Sequence, residues 1–155
     1  SNIVFSEDES IETVKKYIKS ILQSDSFVIC GLFLEEKLVG TSGIQFNYNF
    51  LNSPQNTSVK LATIGIYIFD LEYRGSGFGK TLVWAATYLF NFCTGVKLFG
   101  AGMKKDNTPS LKSFISCGYE KTYEDEEDLK LLLDYSLLLK PNFIKNISIV
   151  KTYRN

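Results

Sequence analysis

The sequence contains no histidine and few cysteines, and these scarcities limit its chemistry. Without imidazole, the chain cannot form histidine general bases, serine-histidine triads or the usual histidine-containing zinc sites, so no metal site is predicted. Its three cysteines, Cys30, Cys93 and Cys117, are odd in number and lie in apolar stretches. This pattern favours reduced thiols over a disulfide framework and predicts a cytoplasmic protein.

The sequence also lacks an excess of either charge, since it carries 17 basic and 17 acidic residues. A balanced chain creates no field that would attract it to nucleic acid or to an anionic membrane, so neither partner is expected. No run approaches the roughly 18 consecutive apolar residues of a membrane span. The first residues lack the basic and apolar segments of a signal peptide.

The apolar pattern of the first half predicts strands and one helix around a single core. With 45% hydrophobic residues, the 155-residue chain has enough apolar surface for one domain. Helical spacing predicts a helix over about residues 7–24, and the β-rich stretch 26–46 predicts a hairpin. An Asn-rich loop, residues 47–58, then leads to a strand over residues 59–69.

The second half continues the alternation of helices and strands. An apolar helix is predicted after residue 79, a strand over 96–103 and a short helix over 107–118. Alternating leucines over residues 129–139 predict a last strand, which pairs in a hairpin with residues 119–123 across the acidic turn 124–128. The overall order is β, α, β, β, β, α, β, α, β, β. We assign residues 1–140 to one domain and 141–155 to a C-terminal tail.

Residues 72–80, EYRGSGFGK, place three glycines between a predicted strand and a predicted helix. The phosphate loop G-x-x-x-x-G-K-[ST] fits their second half but requires glycine at Arg74. The dinucleotide fingerprint G-x-G-x-x-G fits Gly75 and Gly77 but then meets Lys80.

The pattern that fits every position of this segment is R-x-x-G-x-G, from Arg74 to Gly79. Bare backbone N–H groups at the start of a helix, where the dipole favours an anion, predict a pyrophosphate site. A plain turn, with glycines present only for their backbone angles, stays an alternative.

Two motifs together resemble those of the GCN5-related N-acetyltransferase (GNAT) superfamily. R-x-x-G-x-G resembles its acetyl-CoA motif, and NTPSLKSFISCGY, residues 107–119, resembles its next motif, N-x-x-[AS]-x-x-x-[YF]-x-x-x-G-[FY]. With the strand between them and the hairpin after them, the resemblance covers residues 60–139. It implies a single-domain α/β fold with a central mixed sheet of six to seven strands, and an acetyl-CoA-dependent N-acyltransferase.

The resemblance also implies a set of cofactor-binding residues. The strand over residues 64–70 would splay from residues 96–103, and the pantetheine arm would pair with backbone in the gap. The glycine segment would hold the pyrophosphate, and the next helix would line the arm. The implied residues are Ile68, Phe69, Arg74, Gly75, Ser76, Gly77, Phe78, Gly79, Lys80, Asn107, Ser110 and Phe114.

The resemblance does not identify a catalytic side chain. Many relatives have a tyrosine general acid where this chain has Phe114, so water or Tyr67 would have to donate the proton. We interpret Asp134 as solvated and Cys117 as core. The resemblance implies that the acceptor is a primary amine of a small molecule (polyamine, amino-sugar or amino acid) or of a peptide N-terminus. A non-catalytic acyl-CoA sensor or scaffold, and a homodimer, are left open.

Overall fold

The computed structural model describes Lys16 and residues 27–46, 50, 60–69, 71–75 and 77–142. The helix predicted over residues 7–24 lies outside this part of the chain except for Lys16, and the tail does so beyond residue 142. The described elements are β1 (Phe27–Leu34), β2 (Lys37–Phe46), β3 (Leu61–Ile68), α1 (Phe78–Thr94), β4 (Leu98–Lys104), α2 (Thr108–Ser116), β5 (Glu120–Glu124) and β6 (Asp128–Asp134).

The six strands form one mixed sheet in the order β1-β2-β3-β4-β6-β5. Every neighbouring pair is antiparallel except β3 and β4, which are parallel and joined through α1. A parallel pair needs such a crossover because its strands run in the same direction. The predicted α/β fold, with its two hairpins and mixed sheet, is confirmed.

The two faces of the sheet carry different residues. On the face that we call the helix face, Ala62 and Ile64 of β3 and Phe99 of β4 join a buried cluster with Val83 of α1 and Phe114 of α2. Because side chains alternate along a strand, the residues between them project from the opposite face, which we call the open face. The open face carries Thr63, Gly65 and Tyr67 of β3 and Gly100 and Gly102 of β4.

Helix α1 is bounded by a glycine at each end. Gly77 and Gly95 both adopt left-handed backbone angles, with φ of 88° and 72°. At the C-terminal end, the N–H of Gly95 donates to the carbonyl of Asn91 at 2.7 Å, which closes the last turn. The helix therefore begins and ends where a residue without Cβ allows the chain to leave the helical conformation.

The last strand is shorter than the leucine alternation predicts. It ends at Asp134, and Tyr135–Leu137 form a 3-10 turn that leaves Leu137 and Leu139 59% and 58% exposed. The carboxylate of Asp134 accepts hydrogen bonds from the N–H and Oγ of Ser136, at 2.9 and 2.8 Å. The strand stops there because this cap supports the turn and because the partner strand β4 begins at Leu98, opposite Asp134.

The three cysteine thiols are free. Burial raises the pKa of Cys117 to about 12 and that of Cys30 to about 11. A thiol with such a pKa carries almost no thiolate near neutral pH, so Cys117 is unsuited to act as a nucleophile. Within the described residues, no helix is both long and apolar enough to cross a membrane.

Candidate active site

The parallel pair β3 and β4 separates after three residue pairs. Leu61, Ala62 and Thr63 pair with Leu98, Phe99 and Gly100, and no pairing follows, although both strands continue. Strand β3 stays paired with β2 as far as Ile68. Beyond Thr63, the edge of β3 that faces β4 is therefore open, which is the splay that the sequence predicts.

The backbone groups at this open edge belong to alternate residues. The N–H of Phe69 donates to the carbonyl of Val39 at 3.0 Å, so Phe69 is turned toward β2. Because an antiparallel ladder alternates, Ile64, Ile66 and Ile68 turn their backbone groups toward β4; the N–H of Ile64 takes part in the last pairing, at Gly100, and Ile66 and Ile68 present their groups to the gap. This arrangement corrects the expectation for Phe69, whose N–H is used by the sheet, and adds Ile66, which the sequence reasoning missed.

Arg74 lies at the same edge. Its guanidinium donates to the carbonyl of Ile68 from both Nε and Nη2, each at 3.4 Å. The contact supports the orientation of Ile68 toward the gap and links the glycine turn to the end of β3. The resemblance implies that Arg74 belongs to the cofactor-binding segment, and this contact, which shapes the loop, is compatible with that implication.

Gly75 and Gly77 form the turn that leads into α1. Their φ angles are 78° and 88°, in the left-handed region where a Cβ is disfavoured. Gly77 is the N-cap of α1 and has no side chain to cap it. The helical ladder begins with the bond from Thr81 N to the carbonyl of Gly77 at 3.1 Å, so the positive end of the helix dipole lies at this turn. Ser76 lies outside the described residues.

Glycine is required at position 79 by close packing between helices and not by its backbone angles. A Cβ at this position would lie 2.6 Å from Oγ of Ser113 and 3.6 Å from Cδ1 of Ile66. The third glycine therefore allows α1 to approach α2 closely beside the open edge. Ser113 was not identified from the sequence; its small size one position before Phe114 is a signal, but only the contact shows its partner.

Asn107 and Ser110 begin α2. The carboxamide oxygen of Asn107 accepts a hydrogen bond from the N–H of Ser110 at 3.3 Å, which is the N-cap of the helix. The resemblance implies that Asn107 binds the cofactor, and its Nδ2 group is the part of the side chain that the cap leaves for that purpose. Lys80 accepts the Sγ–H of Cys117 through its backbone carbonyl at 3.3 Å.

The two aromatic residues considered for proton transfer are on opposite faces of the sheet. Phe114 is 1% exposed and meets the ring of Tyr119 edge-on, with 5.0 Å between centroids. Burial raises the pKa of Tyr119, whose hydroxyl is 2.8 Å from Oγ1 of Thr87. Tyr67 is 40% exposed on the open face, 5.5 Å from the ring of Phe69. The site of Phe114 is thus core, and a tyrosine there would place its hydroxyl among apolar groups.

The acidic turn after β5 bonds mainly to its own neighbours. Oδ1 of Asp125 accepts the N–H groups of Glu127 and Asp128 at 2.8 and 2.7 Å, and these bonds hold its pKa below the usual range. Glu124 pairs with Lys105 at 3.1 Å. A cleft of about 580 Å³ between this turn and the end of β4 is lined by Lys104, Lys105, Asp106, Glu126 and Glu127. Its charges of both signs give little selectivity for a cation.

Comparison with protein families decides the relationship. The model described as Acetyltransferase (GNAT) family matches residues 2–119. The chain belongs to the GNAT acetyltransferase family. The resemblance of the two motifs is thereby confirmed, as is acetyl-CoA, the acetyl donor of this N-acetyltransferase family. No curated protein sequence is significantly similar to the chain.

Solved structures support the same fold. An uncharacterized protein from Bacillus halodurans has a TM-score of 0.70 and 15% identity, over 84% of this chain and 70% of that one. The N-acetyltransferase PseH from Campylobacter jejuni, in complex with acetyl coenzyme A, has a TM-score of 0.62 and 18% sequence identity over 83% of each chain. The aminoglycoside acetyltransferase AAC(6')-Ib, in complex with coenzyme A, has a TM-score of 0.61 and 14% sequence identity, over 79% of this chain and 74% of that one. These likenesses establish a GNAT fold.

The described residues fit the donor of the family. The left-handed glycines at the start of α1 leave backbone and a positive dipole end where a diphosphate needs donors. The open edge at Ile66 and Ile68 offers both N–H and C=O groups to an amide-bearing arm. These two features lie at the same end of β3, because Arg74 of the glycine turn contacts Ile68.

Proposed function

We propose that this GNAT protein transfers the acetyl group of acetyl-CoA to a primary amine of a small molecule. The observation that carries the proposal is the open edge of β3 beside the glycine turn. An unpaired strand edge inside a sheet leaves backbone groups without partners, and an extended amide chain can supply them. Residues 1–140 are proposed as the catalytic domain.

The binding residues have separate roles in this proposal. The turn at Gly75 and Gly77 and the start of α1 bind the diphosphate, and Ile66 and Ile68 pair with the pantetheine arm. The Nδ2 group of Asn107 donates to the arm from the other side of the gap. Ser110 stays a candidate lining residue of α2, whereas the buried ring of Phe114 supports that helix from within the core cluster.

Acetyl transfer needs orientation, donors for the carbonyl oxygen and an outlet for protons. Acetyl-CoA supplies an activated acyl group: the amide C–N bond forms, the C–S bond breaks and its electron pair leaves with sulfur. The N–H group of Ile66 points into the gap and can donate to the carbonyl oxygen. Tyr67, exposed on the open face, is the candidate for exchanging protons with solvent.

Binding is tested first, by thermal unfolding in the presence of acetyl-CoA. A ligand at a hundredfold excess over its Kd should stabilise the fold by about 2.7 kcal/mol, which is readily seen as a rise in Tm. Protein confirmed to be free of copurified CoA serves as the reference. An unchanged Tm at saturating acetyl-CoA would overturn the donor assignment.

Turnover is tested separately, by thiol release across pH 6 to 9 with a panel of amines. The panel contains amino-sugars, polyamines, amino acids and peptides. Thiol release that depends on an added amine supports the transferase. Binding of acetyl-CoA without turnover of any amine would favour the second candidate, an acyl-CoA sensor.

A further inference from the structure

The described residues of the glycine turn, Gly75 and Gly77, have no side chains that could fix its shape. Both adopt left-handed backbone angles, and glycine loses more conformational freedom on folding than any other residue. Gly77 also begins α1 without a side-chain capping bond. If the N–H groups of this turn are to keep one arrangement, the contacts that hold them must come from the residues on either side.

Two aromatic rings on opposite sides of the turn contact each other. Tyr73 ends the 3-10 turn Leu71–Tyr73 that follows β3, and Phe78 is the first residue of α1. Their ring centroids are 5.4 Å apart, and the ring planes are nearly perpendicular, at 88°. Such an edge-to-face arrangement is one of those that aromatic pairs prefer. The contact joins the two ends of the turn, and we call this pair of rings the aromatic clasp.

The hairpin of β1 and β2 supports the clasp from a third element. Lys37, the first residue of β2, places Nζ 5.2 Å from the centroid of the Tyr73 ring. The same Nζ lies 4.0 Å from Oε1 of Glu72, and both of these side chains are more than half exposed. An exposed ion pair contributes little, whereas a cation over an aromatic ring adds a modest attraction. Tyr73 therefore interacts with α1 through Phe78 and with the hairpin through Lys37.

The clasp differs from the other contact that holds the turn, which is made by Arg74. The guanidinium of Arg74 is 3.4 Å from the carbonyl oxygen of Ile68 at both Nε and Nη2, which is longer than a typical N–H···O hydrogen bond. A diphosphate bound at the turn would also compete with this carbonyl for the guanidinium. The two rings have no such competitor, so their contact can persist when an anion binds.

A turn that already has its bound shape loses less freedom when a ligand arrives, and this raises affinity. At the start of α1, the donors for a diphosphate are backbone N–H groups, whose directions depend entirely on the course of the chain. With the clasp open, these groups would have to be ordered during binding. The rings would thus influence the ligand through the backbone that lies between them.

We infer that Tyr73 and Phe78 are positioning residues that hold the glycine turn in the shape that binds the diphosphate of acetyl-CoA, with Lys37 supporting Tyr73. This inference rests on the proposed function, because it assumes that the turn is the site of the diphosphate. It adds Tyr73 and Lys37 to the residues on which the donor site depends. It also gives Phe78 a role that requires no contact with the cofactor.

The test measures acetyl-CoA affinity by calorimetry in the wild type and in variants of the clasp. Tyr73→Leu and Phe78→Leu each remove the aromatic pair but keep an apolar side chain. Each should weaken binding by about two- to tenfold, the range expected for one such pair. The double variant should lose no more than the weaker-binding single variant, because either substitution already opens the clasp. Tyr73→Phe keeps the ring and should restore wild-type affinity.

Tyr88→Leu is the matched control. Tyr88 stacks on Trp84 farther along α1, with the same 5.4 Å between ring centroids, so the loss of this pair should leave acetyl-CoA affinity unchanged. Urea unfolding of every variant gives the accompanying change in stability.

A clasp with a purely structural role would lower the urea midpoint of Tyr73→Leu and Phe78→Leu and leave their acetyl-CoA affinity at the wild-type value. That result would overturn the inference. Additive losses in the double variant, equal losses in Tyr73→Phe and Tyr73→Leu, or an equal loss in Tyr88→Leu would also overturn it. Failure of the wild type to bind acetyl-CoA would instead overturn the proposed function.

Discussion

The glycine turn, at Gly75 and Gly77, and the acidic turn, residues 124–128, lie beside the ends of β3 and β4, but the polar groups described in them are bonded differently. In the acidic turn, Asp125 accepts two backbone N–H groups and the hydroxyl of Tyr123. Lysines pair with Glu124, Glu127 and Asp128. In the glycine turn, Gly77 starts α1 without a capping side chain.

The difference shows that polarity alone does not indicate a binding site. A charged turn whose side chains bond to its own backbone is already satisfied and has little left for a ligand. Gly75 and Gly77 contribute no side chains, so their polar groups are backbone ones beside a helix start. Of the two segments, the one with less charge is therefore the one that we propose as the anion site.

The largest expected effect comes from a charge placed in the glycine turn. Gly77→Glu adds volume, left-handed strain and negative charge where the diphosphate would bind, and like charges in contact cost several kcal/mol. We expect calorimetry to show a loss of acetyl-CoA affinity of about a hundredfold or more. Gly95→Glu is the control, because it adds the same charge at a left-handed glycine at the other end of α1. Equal losses in both variants would contradict the assignment.

A second prediction separates Gly79 from the two glycines before it. Gly79→Val should destabilise the fold by about 1–3 kcal/mol, because its side chain must displace Ser113. Ser113→Gly in the same chain should recover part of this loss. Urea unfolding of the wild type, both single variants and the double variant measures the coupling. Simple additivity would show that Gly79 and Ser113 do not share this contact.

The acidic turn should affect how the stability of the fold depends on pH, and it should not affect acetyl-CoA affinity. The N–H groups of Asp128 and Glu127 lower the pKa of Asp125 from its usual value of 3.8. A lowered pKa in the folded state means that the stabilisation is present above the usual value and is lost as pH falls through the lowered one. As pH falls below about 4, the Asp125→Asn variant should therefore lose less stability than the wild type does. Weaker acetyl-CoA binding by this variant would contradict the contrast between the turns.

The smallest effect concerns a hydroxyl that is neither satisfied nor available to solvent. Ser42 of β2 is fully buried, and its Oγ has no hydrogen-bond partner among the residues that the structure describes. Ser42→Ala should leave stability unchanged or raise it by up to about 1 kcal/mol. Thr87→Val is the matched comparison, because Thr87 is equally buried but bonds to Val83 and Tyr119, and its loss should be destabilising. A large destabilisation by Ser42→Ala would reveal a missed partner.

Much of the fold could be predicted because its signals are local. Alternation predicted the strands, and the glycine and cap residues predicted where α1 and α2 begin. The end of β6 at Asp134 was missed because the leucine pattern continues to Leu139, whereas the partner strand β4 starts opposite Asp134. Strand length depends on a neighbour that a local pattern does not contain.

The sequence predicted which segments form the site, but it did not predict which residues of β3 face the gap. The residues around Ile68 were identified, yet Ile66 faces the gap where Phe69 was expected. Which residue of a strand faces a given edge depends on the register with β2, a contact between segments about 30 residues apart. Likewise, the burial of Phe114 follows from its packing on Tyr119, which motif spacing cannot show.

The splay has a mechanical consequence. The sheet is in effect two leaves, β1-β2-β3 and β4-β6-β5, whose strands are hinged by three residue pairs at Leu61, Ala62 and Thr63. Beyond these three pairs, a bound amide chain would supply the hydrogen bonds that β3 and β4 do not form with each other, and it would act as an additional strand between them. The amide protons of Ile66 and Ile68 should then exchange slowly only while this chain is bound between the two halves of the sheet. The protein would therefore unfold more cooperatively during its reaction cycle than between cycles.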